Sequence, residues 1–190
     1  MGNISRKAAL TAAAAFTAAS AASMTAGAAT AAPATPATPA AHVVKAAPAI
    51  PPLLIWPLVQ RGDTGPRVVT IQYLLNARGA GLAVDGIFGP ATQQAVRNFQ
   101  ASHGIMPVTG RVSAETWPRL IIQVQRGSTG NAVRAVQWSL RNVYGFHNLA
   151  VDGIFGQATQ NAVIRFQSRF HIVADGIVGP VTWNTLVWNE

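Results

Sequence analysis

The eight residues LAVDGIFG occur twice in this chain, at positions 82–89 and again at 149–156. The tetrapeptide VQRG also occurs twice, beginning at position 59 and again at position 124. The spacing between the copies grows by two positions from the tetrapeptide to the octapeptide, so the second copy is slightly longer than the first. An identity of this length at a nearly constant offset indicates two copies of one supersecondary unit. The repeat predicts two modules, at positions 59–121 and 122–190.

A weaker repeat lies inside each module, as an eight-residue stretch that opens with Asp-Gly or Thr-Gly and ends in threonine: DGIFGPAT at 85–92, TGRVSAET at 109–116, DGIFGQAT at 152–159 and DGIVGPVT at 175–182. Glycine permits the backbone angles of a tight turn, and Asp85 is expected to accept hydrogen bonds from turn amides. Thr92 is expected to satisfy free N–H groups where the next helix starts. A calcium site needs about six oxygen ligands, and each stretch has one carboxylate at most. We therefore predict structural turns and no metal site.

Helical periodicity runs through both modules, because apolar residues recur every three or four positions. They mark one face of each of four helices: Val68, Ile71, Leu74 and Leu75; Ala95, Val96 and Phe99; Val133, Val136 and Leu140; Ala162, Val163, Phe166 and Phe170. A short third helix in each module is expected around Trp117 and around Trp183. No stretch shows sustained alternation of apolar and polar residues. The predicted fold class is all-α, with two tandem three-helix modules.

The stretch 1–58 differs in composition from the rest of the chain. Two basic residues, an alanine-rich apolar run and an Ala-x-Ala site are typical of a secretory signal peptide. We expect residues 1–31 to be cleaved after Ala31, or alternatively after Ala34. An uncleaved membrane anchor is the other interpretation, but the run is short of the ~20 strongly apolar residues a span prefers. Residues 32–58 hold seven of the twelve prolines and predict a semi-rigid Ala/Pro-rich linker, whose apolar end, IPPLLIWPL, should lie against the folded part.

The residue types present offer little for catalysis. The absence of cysteine excludes disulfides, thiolate metal sites and cysteine nucleophiles. A glycosidase needs two carboxylates about 5–9.5 Å apart, and a zinc peptidase needs a motif such as HExxH. The four histidines and six acidic residues of this chain form neither pattern. The sequence therefore predicts no enzyme activity, no cofactor and no integral membrane segment in the mature chain.

The chain is strongly basic, with a formal charge of +8 and a pI near 11.5. Nucleic acid is one partner that such a charge suggests. The basic residues are spread singly along both modules, however, and the predicted signal peptide indicates export. An extracellular anionic polymer is the better match to a diffuse basic surface, so we expect no nucleic acid partner.

The sequence resembles a known family in the order of its motifs. The runs GDTGPRVVTIQYLLNARG, DGIFGPATQQAVRNFQASHGI and TGRVSAETWPRL, and their counterparts in the second copy, are similar to the peptidoglycan-binding module of bacterial wall hydrolases. The resemblance covers about 59–187 and implies a three-helix fold that attaches noncovalently to peptidoglycan without activity of its own. The second copy has Ser128 where the first has Asp63, and TGRVSAET lacks the aspartate and the later glycine. We expect these loops to be less stable.

We therefore predict a secreted, wall-associated, non-catalytic protein that binds peptidoglycan through both modules. One alternative is an extracellular interaction or regulatory protein whose modules bind a wall-associated protein partner. A minimal lytic enzyme is a third interpretation. The sequence does not specify the oligomeric state.

Tyr73 and Trp138 occupy the same position in the two copies and form the basis of a predicted ligand surface. Each lies two residues beyond a core position, about 200° around its helix at ~100° per residue. Arg134 and Arg141 share the face of Trp138, where a ring between two guanidinium groups could stack on a sugar and meet carboxylates. The alternative is that both rings pack between the modules or under the proline-rich segment. Copy two is expected to bind more strongly.

Overall fold

The computed structural model describes residues 54–189. The predicted signal peptide and all of the linker up to residue 53 lie outside these residues. Within them the chain forms six helices: α1 (Pro66–Ala77), α2 (Pro90–Ser102), α3 (Trp117–Leu120), α4 (Asn131–Asn142), α5 (Gln157–Arg169) and α6 (Pro180–Trp188). The described part contains only isolated β-bridges besides these helices. The all-α prediction is confirmed, with three helices for each copy.

The predicted helix faces form the core. Val68, Ile71, Leu74 and their counterparts in α4 are fully buried, and Phe166 of α5 is as well. Trp117 and Trp183 are also fully buried, and each indole N–H donates to a backbone carbonyl far back in the chain, Pro57 O at 2.7 Å and Ile122 O at 2.9 Å. A buried indole N–H usually pairs with an acceptor, because an unpaired buried donor carries a desolvation cost. These bonds therefore attach the third helix of each module to the extended segment that precedes its first helix.

The two modules pack against each other through α1 and α4. The helices run in opposite directions, because Ala77 at the end of α1 and Ala132 near the start of α4 line one pocket. The hydroxyls of Thr70 and Ser139 share a hydrogen bond of 3.1 Å inside this contact. The small, hydrogen-bonded pair lets the helix backbones approach while each hydroxyl keeps a partner.

Arg67 makes a second connection between the modules. Its guanidinium donates from Nε to Val187 O at 2.6 Å and from Nη2 to Trp188 O at 3.0 Å. These carbonyls belong to the last turn of α6, where a helix has no partners of its own for them. A cation at a helix C-terminus is also favoured by the helix dipole. The first module thus completes a helix of the second.

Residues 54–58, which we call the N-terminal strip, lie across both modules. Trp56 is buried and its ring stacks on Trp117 at a centroid distance of 5.6 Å. The carbonyl of Ile55 accepts hydrogen bonds from Asn184 Nδ2 at 2.6 Å and from the indole N–H of Trp188. The predicted packing of the linker's apolar end on the folded part is seen for Leu54, Trp56 and Pro57, whereas the side chains of Ile55 and Leu58 are exposed.

Candidate functional site

Each of the four eight-residue turns is held by one buried glutamine, an arrangement we call the glutamine clasp. In the first clasp of the second module, Gln137 Nε2 donates to Asp152 Oδ1 at 2.8 Å and to Ile154 O at 3.0 Å, and it lies 3.1 Å from Thr159 Oγ1. Its Oε1 accepts from Gly153 N at 2.8 Å. One amide side chain therefore forms hydrogen bonds with polar groups at both ends of the turn.

The same set of bonds recurs in the other three turns. The glutamine is at most 1% exposed in every case, and the four are Gln72, Gln100, Gln137 and Gln167. Gln72 additionally accepts from Asp85 N at 3.1 Å. A buried amide that keeps all its hydrogen bonds fixes its surroundings strongly, because each unmade bond would carry a desolvation cost. The clasps fix the start of the helix that follows each turn.

The backbone angle and the packing at the second residue of each clasped turn favour glycine. Gly153 has φ of 79°, and a Cβ there would come within 3.0 Å of Arg134 Cζ. In all four turns, a Cβ added to this glycine would contact the side chain of the residue three positions before the clasp glutamine. These residues are Val69, Arg97, Arg134 and Ile164. Positive φ strains a residue that carries a side chain, and the close neighbour adds to that strain.

Aspartate at the start of the turn behaves as predicted, but threonine does not. Asp85 Oδ1 accepts from Ile87 N at 2.9 Å, and Asp152 accepts from Ile154 N at 2.8 Å. Thr92, by contrast, lies in the first turn of α2 and donates to Ile87 O at 3.4 Å. Its hydroxyl faces the clasp, and α2 has no side-chain capping bond to its N–H groups, so that prediction is wrong.

The substituted turns keep their hydrogen bonds with shorter side chains. Ser128 Oγ accepts from Gln125 N at 3.1 Å, as Asp63 Oδ2 accepts from Gln60 N at 2.9 Å. Thr109 Oγ1 takes the place of the missing aspartate and accepts from Arg111 N at 3.2 Å. The structure thus gives these loops the same bonding pattern as the others.

Two of the clasp carboxylates are shifted towards the charged form. Hydrogen bonds from Gln72 and from the Ile87 amide lower the pKa of Asp85 below its ordinary value of 3.8. The Ile154 amide and Gln137 lower the pKa of Asp152 in the same way, with a smaller contribution from the Arg134 charge. Both carboxylates accept hydrogen bonds in turns, which is a structural role. Among residues 54–189 no three His, Asp or Glu side chains are placed to hold a metal ion.

Each of the two modules has a groove at the equivalent place. The first groove, about 530 Å³, lies between the turn after α1 and the exposed side of α2. The second groove, about 520 Å³, lies between the turn after α4 and α5. Ala91 and Ala95 line the first, and their repeat counterparts Ala158 and Ala162 line the second. Small residues at the same position of both modules leave room for a ligand.

The predicted surface around Trp138 lies outside both grooves. Trp138 is half-buried, and it is not among the half-buried side chains that pack on the core, whereas Tyr73 is. Arg134 is half-buried, donates from Nη1 to Asn131 Oδ1 at 3.2 Å and covers Gly153. Arg141 is exposed. The two members of the repeat position therefore differ in surroundings, and Arg134 is engaged with its own turn.

The grooves could not be located from the sequence, and the clasp glutamines were only indirectly visible there. A signal for the clasp existed, because a glutamine precedes each Asp-Gly or Thr-Gly pair within the same module. The groove has no such signal, since alanines and exposed polar residues at a helix surface have no distinctive spacing.

Among the described residues no helix is long and apolar enough to cross a membrane.

Comparison with known families gives two matches within the chain. Residues 64–120 and 129–186 each match the family described as "Putative peptidoglycan binding domain". These ranges coincide with the two copies seen in the sequence and with the two sets of three helices. The resemblance noted from the sequence motifs is thereby confirmed.

Several proteins of known name share these modules. The chain is 36% identical over 126 residues to a probable N-acetylmuramoyl-L-alanine amidase of Bacillus licheniformis, covering 63% of this chain and 33% of the relative. It is 38% identical over 118 residues to the zinc D-Ala-D-Ala carboxypeptidase of Streptomyces albus G, covering 61% of this chain and 43% of the relative. The chain therefore spans less than half the length of these relatives.

A solved structure of similar sequence is that of the SleB N-terminal domain. It is 37% identical, and the match covers 36% of this chain and 92% of that one, with a TM-score of 0.34. A peptidoglycan-binding protein of Clostridioides difficile, solved in complex with glutamine hydroxamate, is 39% identical over 35% of this chain and 40% of that chain, with a TM-score of 0.33.

Proposed function

Because the chain belongs to the peptidoglycan-binding domain family, we propose that it is a secreted, non-catalytic protein that binds bacterial cell-wall peptidoglycan. The observation that carries the proposal is the pair of equivalent grooves, one in each module. A site that recurs at the same place in both copies is expected when both copies bind the same polymer. The signal peptide predicted for residues 1–31 would direct the protein to that polymer.

The distribution of charge supports an anionic ligand. All five carboxylates between residues 54 and 189 accept hydrogen bonds within turns: Asp63, Asp85, Glu115, Asp152 and Asp175. The same stretch contains eleven arginines. Since the acids are occupied in turns, most of the arginine charge is available to solvent and to ligands. Peptidoglycan stem peptides carry carboxylates, which guanidinium groups bind well.

The packing of the modules supports binding by both at once. Thr70 with Ser139, and Arg67 with the end of α6, hold the two modules in one arrangement. Two weak sites in fixed positions on one chain raise the apparent affinity for a repetitive polymer, because the second binding step is intramolecular. A polymer with sites at the matching separation would be held much more strongly than a single fragment.

A second proposed contact surface consists of Trp138, its repeat counterpart Tyr73, Arg134 and Arg141. Its support is the half-exposed ring of Trp138 on the same helix face as the exposed Arg141. Since these residues line neither groove, the surface would act in addition to the grooves.

The test is co-sedimentation of the protein with purified insoluble peptidoglycan sacculi, alongside turbidity of the same suspension. Pelleting without clearing is expected. Clearing would show a lytic enzyme, and failure to pellet would favour the alternative of a protein partner. The grooves are tested with Ala91→Trp and Ala158→Trp, which fill the first and second groove at exposed positions.

The matched control for groove filling is Ala101→Trp. Ala101 is an exposed alanine of α2 that lines neither groove. The variant with both grooves filled is expected to stay in the supernatant while Ala101→Trp pellets like the parent protein. Pelleting by the double variant would show that the grooves are not the binding sites.

A further inference from the structure

The two grooves occupy the same place but differ in charge. The residues of α2 that line the first groove include Gln94, Asn98 and Ser102. At the equivalent positions of the repeat, the second groove has Asn161, Arg165 and Arg169. Two neutral side chains of the first groove are therefore replaced by two arginines in the second.

The two arginines of the second groove are available for a ligand. Both are exposed, and they lie one helical turn apart at i and i+4, on the same face of α5. Among the described residues neither makes a hydrogen bond or an ion pair; Arg169 only lies over the ring of Phe170, at 5.9 Å. His147, also exposed, lines the same groove. No carboxylate of residues 54–189 lines this groove to neutralise it.

The polar side chains of the first groove each have a hydrogen-bond partner within the first module. Gln94 Nε2 donates to Asn98 Oδ1 at 2.9 Å, so these two amides pair with each other. Ser102 Oγ donates to Phe99 O at 3.0 Å. The groove has one arginine, Arg78, whose Nη2 donates to Arg119 O at 2.9 Å and to Ile121 O at 3.3 Å.

The imidazole ring of His103, which also lines the first groove, has partners within the first module as well. His103 stacks on Phe99 at a centroid distance of 4.0 Å, and its Nδ1 lies 2.9 Å from Phe99 O. The first groove therefore presents paired amides, a hydroxyl and a cation that is held by backbone carbonyls. Such a lining suits an uncharged ligand group better than a free carboxylate.

From this difference we infer that the two modules recognise different chemical forms of the same polymer. The second groove binds stem peptides whose carboxylates are free, through Arg165 and Arg169. The first groove binds uncharged parts, such as sugar hydroxyls or amidated peptide. The inference rests on the proposed binding of peptidoglycan and assigns a ligand class to each of its two sites.

The experiment compares native sacculi with sacculi whose carboxylates have been converted to amides by carbodiimide and ammonia. Ala91→Trp leaves only the second groove open, and Ala158→Trp leaves only the first. Amidation is expected to weaken the binding of Ala91→Trp by about tenfold or more, because charge-assisted hydrogen bonds are lost. The binding of Ala158→Trp is expected to change less than about twofold.

Charge variants connect the effect to the two arginines. Arg165→Gln with Arg169→Gln, placed in Ala91→Trp, should abolish the difference between native and amidated sacculi. The matched control is Arg61→Gln with Arg126→Gln, which removes two exposed arginines outside both grooves and should preserve the difference. Conversely, Asn98→Arg with Ser102→Arg in Ala158→Trp should create a preference for native sacculi.

The outcomes separate the two proposals. Equal sensitivity of both single-groove variants to amidation, or loss of the effect in the Arg61 and Arg126 control, would overturn the assignment while leaving peptidoglycan binding intact. Failure of the parent protein to pellet with either kind of sacculi would overturn both. Melting curves of each variant, unchanged from the parent, ensure that lost binding reflects the groove.

Discussion

Gln137 Nε2 lies 2.8 Å from Asp152 Oδ1, and this contact joins a buried helix residue to an exposed turn fifteen positions away. The equivalent contact in module 1 joins Gln72 and Asp85 at 2.7 Å. The position of the turn, and with it the start of the next helix, depends on this side chain. The buried glutamine therefore has a stabilising role that apolar residues normally have in a small domain.

Gln137→Leu is expected to destabilise the protein by about 2–4 kcal/mol. The substitution keeps the volume but removes the acceptor of Gly153 N and the donor to Ile154 O, and buried unpaired groups cost about 1–3 kcal/mol each. Urea denaturation followed by tryptophan fluorescence measures the change. Gln125→Leu, at an exposed position whose side chain makes no hydrogen bond among the described residues, is the control and should change stability by less than about 0.5 kcal/mol. A similar loss in both variants would contradict the clasp.

Acid should weaken the fold through the clasp carboxylates. The folded-state pKa values of Asp85 and Asp152 lie below the ordinary value of 3.8. The two ionised carboxylates therefore stabilise the folded state fully above pH 3.8. This stabilisation is lost as the pH falls through their lowered folded-state pKa values. The urea midpoint of the parent protein should therefore drop on going from about pH 6 to about pH 3. Asp85→Asn with Asp152→Asn keeps an amide oxygen as acceptor and should show a smaller drop. An equal drop would assign the acid sensitivity to other groups.

Removal of the N-terminal strip should lower the melting temperature, because its carbonyls and Trp56 bond to both modules. Deleting residues 49–58 tests the whole segment, and an unchanged melting curve would show that it is only a linker. Trp56→Ala tests the stacked ring alone and is expected to cost about 3 kcal/mol. Leu58→Ala, at a side chain that is 54% exposed, is the control and should have little effect.

Trp138→Ala tests the second proposed contact surface. If the half-exposed ring stacks on a sugar or peptide face, retention on sacculi should fall several-fold while the melting temperature stays close to that of the parent. Tyr73→Ala should lower the melting temperature instead, because Tyr73 packs on the core. Arg141→Gln should reduce retention more than Arg126→Gln, since only Arg141 shares the helix face of the ring. Normal retention of Trp138→Ala, or a loss proportional to lost stability, would show that this surface binds nothing.

The repeat was sufficient to predict two modules of the same fold, because an identity such as LAVDGIFG indicates that both segments adopt one structure. The buried faces of α1 and α4 followed from apolar spacing at Ile71 and Val136. The clasp was harder to predict, because Gln100 and Gln167 are polar residues and apolar periodicity assigns such residues to the surface. Their burial becomes evident only when the turn that they hold is seen.

The grooves and the contact between modules depend on tertiary structure for a further reason. Thr70 and Ser139 are 69 positions apart, and no local pattern indicates that their hydroxyls meet. Arg165 and Arg169 likewise look like ordinary basic residues of a solvated helix face. Their significance comes from the turn at 144–149, which faces them across the second groove.

The bonds from Trp188 and Asn184 to Ile55 bring the two ends of the described chain together. A pull applied between residue 54 and residue 189 would be resisted first by this junction, including the Arg67 bonds to α6. Such a load would peel the strip from the surface before it reached the helices.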